Sequence, residues 1–74
     1  MSSSPAQRAL AIEIQNIIND ALRSRKVTRA ELARRMGTSR AHVTQMLDDD
    51  RNLTINTIAK ALDALDLTLY VEAR

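Results

Sequence analysis

Seventy-four residues carrying a net charge of +2 form one domain at most, and a core of that size is marginal unless something supplements it. With no cysteine and one histidine, disulfides and a thiolate or lone-histidine metal site are excluded, which leaves oligomerisation as the supplement. No apolar run approaches the roughly 18 residues of a membrane span, and the Met1 to Ser4 opening lacks the charged and apolar regions of a signal peptide. A cytoplasmic protein is expected, and 45% hydrophobic content with Tyr70 as the one aromatic residue points to an all-helical, aliphatic core.

Ser4-Pro5-Ala6-Gln7 supplies a cap, a proline at the first helical position and a glutamine at N3, so a first helix is expected from Pro5 to about Ser24. Leu10, Ile14, Ile17, Ile18, Ala21 and Leu22 fall on one stripe suited to the core. Ile12 lies off that stripe among Arg8, Gln15, Asn16 and Asn19, where it is either an isolated exposed residue or part of a subunit contact. Arg23 to Val27 reads as a basic connector.

Thr28 and Glu31 form a capping-box pattern that opens a second helix, which buries Leu32, Ala33 and Met36 and stops at Gly37, the only glycine. Ser39 caps a third helix with Val43, Met46 and Leu47 at core spacing. Two short helices joined by a tight glycine turn are the grammar of a helix-turn-helix.

Asp48, Asp49 and Asp50 follow. Without the interleaved glycine and distal glutamate of a calcium loop they read as the start of a polar loop, Asp49 to Asn52, and no metal or other cofactor is expected. Aspartate disfavours a helix C-terminus, so the helix is expected to end before most of the run. Thr54 caps a core helix in which Ile55, Ile58, Leu62 and Leu65 repeat at three and four residues.

After Leu65 the pattern becomes strict alternation, with Leu67, Leu69, Val71 and Ala73 on one side and Thr68, Tyr70, Glu72 and Arg74 on the other. Nothing else in the chain alternates, so a lone strand would pair with its copy in a second subunit, antiparallel about a two-fold axis. The other reading is an amphipathic or disordered tail.

Charge is unevenly placed. From Arg23 to Arg40 seven basic residues face one acid, Glu31, a balance of +6 over 18 residues, whereas Asp48 to Asp66 holds five aspartates against Arg51 and Lys60. Such asymmetry suggests one face for a polyanion, with a merely solvated basic face as the bland alternative.

ELARRMGTSRAHVTQML followed by NLTINTIAKALDALDLTLYVEAR resembles the XRE class of helix-turn-helix DNA-binding proteins, related to Cro and lambda-type repressors, over about Val27 to Arg74. The resemblance implies an all-α, lambda-repressor-like bundle of four to five helices with a C-terminal strand pairing across a dimer. Residues 1–4 would be a disordered N-terminus, 5–66 the DNA-binding domain and 67–74 the dimerisation strand. Family members commonly carry glycine after the last helix; this chain has Asp66, which tolerates a left-handed conformation better than most residues.

The resemblance also implies that Ser39 to Leu47 lies in the major groove of double-stranded DNA. Val43, Met46 and Leu47 are committed to the core, which leaves Arg40 for guanine, Gln45 or Thr44 for a second base and Ala41 for a thymine methyl. His42 reaches base or phosphate, or is an ordinary surface residue. Thr38, Ser39, Arg29, Arg34 and Arg35 are the expected phosphate contacts, and Leu67, Leu69, Tyr70 and Val71 the dimer contacts.

The expected function is a homodimeric repressor that occupies an inverted-repeat operator and autoregulates its operon. A rival is an antitoxin-type interaction module that neutralises a partner protein, with DNA binding secondary. No Ser/His/Asp or paired-carboxylate arrangement supports an enzyme, and neither a membrane nor a small-molecule ligand is expected as a partner.

Overall fold

The computed structural model describes residues 4–49 and 53–70, and these contain four helices: α1 (Pro5–Arg25), α2 (Arg29–Met36), α3 (Arg40–Asp48) and α4 (Ile55–Ala64). Each starts where a local cap starts it. The Ser4 hydroxyl accepts from the Gln7 amide at 3.1 Å while the Gln7 side-chain oxygen accepts from the Ser4 amide at 2.9 Å, so Ser4 is tied to α1. Thr28, Ser39 and Thr54 accept in the same way from Glu31, His42 and Thr57.

Three helices end in one way. Lys26 (φ 56°), Gly37 (φ 72°) and Asp66 (φ 55°) take the left-handed conformation, and the next amide reaches back to the carbonyl five residues earlier. Those bonds are Val27 to Leu22 at 2.9 Å, Thr38 to Ala33 at 2.9 Å and Leu67 to Leu62 at 2.8 Å. This is the Schellman arrangement, and in the two turns without glycine the following residue, Val27 or Leu67, is apolar and packs on the core. Asp66 therefore ends the last helix in the conformation that glycine would favour.

The core is formed by Ile14, Ile18 and Leu22 of α1, Leu32 and Ala33 of α2, Val43, Met46 and Leu47 of α3, and Ala61 with Leu65 around the end of α4. Met36, Val27, Leu53 and Ile58 pack partly buried around it. Three of the residues expected inside stand outside. Leu10 is 51% exposed because the first turns of α1 stand clear of the core, and Ile17 is 36% exposed because it sits at the edge of the face that buries Ile14, Ile18 and Leu22. Ile55, 83% exposed, sits at the first position of α4, where the buried stripe is centred on Ala61 rather than on the Ile55–Leu62 line.

One residue expected outside is buried. Gln15 lies between α1 and α3, and its side-chain nitrogen donates to the Met46 carbonyl at 3.0 Å. That carbonyl belongs to the last turn of α3, which has no intrahelical donor for it, so α1 supplies the missing hydrogen bond.

Residues 67–70 form no strand among the described residues. Their alternation appears instead as burial: Leu67 and Leu69 lean on this chain's own core, while Thr68 and Tyr70 face solvent. Val71, Ala73 and the rest of the expected strand lie outside the described residues.

Candidate nucleic-acid interface

Gly37 to Ser39 turns the chain from α2 into α3, and the buried Val43, Met46 and Leu47 fix how α3 is rotated. The opposite side is left to solvent. Arg40, Ala41, His42 and Gln45 are exposed and Thr44 is half-buried, so the five residues expected to meet bases share the accessible part of one helix. Thr38 and Ser39 are exposed at its start. Ser39 satisfies the His42 amide, which leaves the Arg40 and Ala41 amides ahead of the first intrahelical bond, in the orientation that receives an anion at a helix N-terminus.

The arginines divide into sets. Arg40 makes no ion pair among the described residues and stands exposed beside those amides. Arg29 sits at the other end of α3, where its two terminal guanidinium nitrogens donate to the two Asp48 oxygens at 3.1 and 3.2 Å. Arg34 projects from the outer face of α2 and pairs with Glu31 through two bonds, one of them 3.0 Å from Nε to Oε1. Arg35 also donates to Glu31, at 2.9 Å, and turns towards α4, where it reaches the Ala64 carbonyl at 3.4 Å.

Arg25 donates to the neighbouring Leu65 carbonyl. Two of the seven basic residues thus serve the negative end of α4, which suits both its unpaired carbonyls and its dipole.

Glu31 does not return a bond to the Thr28 amide, so the expected capping box is only half formed. Two guanidinium groups outcompete one backbone amide for its carboxylate. Hydrogen bonds from Arg34 first and Arg35 second lower the Glu31 pKa from 4.5 to about 2, and the same pairing raises Arg34.

The expected dimer residues are separate from this surface. Leu67 and Leu69 are half-buried, Tyr70 is 83% exposed, and Val71 lies outside the described residues. Two residues of consequence escaped sequence reasoning. Gln15 had a detectable signal, since Ala11, Gln15, Ile18 and Leu22 share 4-3-4 spacing. Asp48 had one too, as it lies seven residues after Ala41 and four after Thr44.

Among the described residues no group of three or more His, Cys, Asp or Glu side chains is placed to hold a metal, and no helix is long and apolar enough to cross a membrane. A helix-turn-helix family model matches residues 18–71, from Ile18 within α1 to one residue past the last described one. No curated protein and no solved structure matches the chain.

Proposed function

The chain belongs to the XRE-class helix-turn-helix family of DNA-binding transcriptional regulators, and from that membership we propose a homodimeric repressor that occupies an inverted-repeat operator and blocks polymerase. The observation that carries the proposal is the exposed side of α3, with Arg40 and the first backbone amides of the helix unpaired among the described residues. That end enters the major groove. Arg40 donates in bidentate fashion to guanine, Gln45 and Thr44 read a neighbouring pair, Ala41 meets a thymine methyl and His42 reaches the groove edge.

Thr38 and Ser39 bind phosphate at the helix start, with Arg29, Arg34 and Arg35 adding cationic contacts that set affinity and salt dependence. Arg35 has further to go than the others, because contact with phosphate requires it to leave Glu31 and α4. Pairing of two chains through residues 67–71 would space two α3 helices about one DNA turn, roughly 34 Å, apart. Autoregulation of its own operon completes the proposal, and a reporter behind the chain's own upstream region tests it.

The decisive experiment is selection from a randomised duplex library. An enriched palindrome with half-sites one helical turn apart is the expected result, and a non-palindromic winner would count against the dimer. On the selected duplex Arg40→Ala should cost about 1–3 kcal/mol and relax discrimination at one base pair. Unchanged affinity and preference would sink that assignment.

A second reading, a module that neutralises a partner protein, is favoured by the apolar side chains Leu10, Ile12 and Ile17 left exposed along α1. Salt titration separates the two, because phosphate-dominated DNA binding weakens steeply as salt rises.

A further inference from the structure

Asp48 is the last residue of α3 rather than part of the loop that follows. It lies seven residues after Ala41, four after Thr44 and three after Gln45, so it continues their line along the helix, away from Val43 and Met46. A bare carboxylate in that line would oppose a polyanion. The carboxylate is not bare, since each of its oxygens accepts from a different terminal nitrogen of Arg29. This end-on fork occupies two of the five guanidinium donors and leaves three, including Nε–H, for another acceptor.

We propose that Asp48 is a positioning residue for DNA binding: it holds the Arg29 guanidinium beside the end of the α3 reading line, aimed at a backbone phosphate, while Arg29 neutralises Asp48. The inference rests on the reading of α3 as the groove helix. Side-chain exposures of 32% for Arg29 and 56% for Asp48 mean that the pair does little for folding, because solvent-exposed ion pairs contribute little. Its consequence is therefore confined to the complex. With both partners present, an acid on the DNA-facing line favours binding. Without Arg29 the same acid opposes it.

A double-mutant cycle reads this as a change of sign. The four chains are wild type, Arg29→Ala, Asp48→Ala and the double variant, titrated by fluorescence anisotropy against the duplex that wild type enriches from the randomised library. In the wild-type background Asp48→Ala should weaken binding about threefold; in the Arg29→Ala background it should tighten binding by about the same factor. Thermal unfolding midpoints of the four chains should agree closely, which a structural role for the pair would not allow.

Tightening in both backgrounds would mean that Asp48 acts as charge alone, and no effect in either would mean that the pair stands off the DNA; each overturns the inference and leaves the function intact. A wild-type chain that enriches no duplex overturns both. A parallel cycle with Arg29→Gln and Asp48→Asn keeps side-chain volume and must give the same reversal.

Discussion

Glu31 shows how one side chain can be diverted from the task its position suggests. Placed at the third residue of α2 to return a cap, it instead collects Arg34 and Arg35 on the outer surface of the helix. Because the folded chain holds its carboxyl at about 2 against an ordinary 4.5, the pairing stabilises the fold fully above about pH 4.5 and loses that contribution as the pH falls towards about 2. Glu31→Gln should accordingly lower the urea midpoint at neutral pH and flatten its decline across that acid range. Identical acid limbs for the two chains would show that the pairs do not form in solution. The difference should shrink in concentrated salt, since the charges are at the surface.

At the scale of the element, the helix ends explain what could be read from one dimension and what could not. All four starts were legible because Ser4, Thr28, Ser39 and Thr54 act on amides three residues away. The stop at Gly37 was legible for the same local reason. The end of α1, expected at about Ser24, falls at Arg25, but the means of stopping was not legible, because nothing in a lysine announces a left-handed residue; Val27 packing on the core is what holds Lys26 there. Lys26→Gly should therefore stabilise the chain by about 1 kcal/mol, measured by chemical denaturation, since glycine adopts that conformation without the Cβ penalty. A destabilised variant would mean that the lysine stem contributes more than its backbone costs.

The candidate site divides along the same boundary. Which residues of α3 face outward followed from Val43, Met46 and Leu47 alone. What stands opposite each residue did not, because helical spacing assigns a side of a helix and leaves its neighbour unspecified. Hence the contacts from Gln15 to Met46 and from Arg29 to Asp48, 31 and 19 residues apart in sequence, became visible only in three dimensions. The exposure of Leu10 and Ile55 has a related origin, since both lie in the opening turns of their helices away from the packed region, whereas Ile17 sits at the edge of the buried face.

For the whole molecule, the C-terminal residues bear on whether folding requires a second copy. Leu67 and Leu69 close over the core of their own chain, so removing everything after Leu65 would damage the fold as well as any pairing. Thr68, Leu69 and Tyr70 make no backbone hydrogen bond among the described residues, which leaves an edge suited to the proposed strand partner. The single chain should stay folded when diluted until sedimentation gives the monomer mass, with its helical circular dichroism and a cooperative thermal transition retained. Loss of the helical signal on dilution would identify an obligate dimer instead.

The inward lean of Leu67 and Leu69 also has a consequence for timing. If two copies pair as proposed, a chain that closes Leu67 and Leu69 over its own core would be able to arrive at DNA alone and be joined there by the second. Under that order of events, filling a two-part site depends on the square of chain concentration. If the proposed pairing holds, going from one-tenth to nine-tenths filled would take about a ninefold rise in chain concentration rather than the roughly 80-fold rise of a one-part site, a steeper response that rests on a monomer folding without its partner.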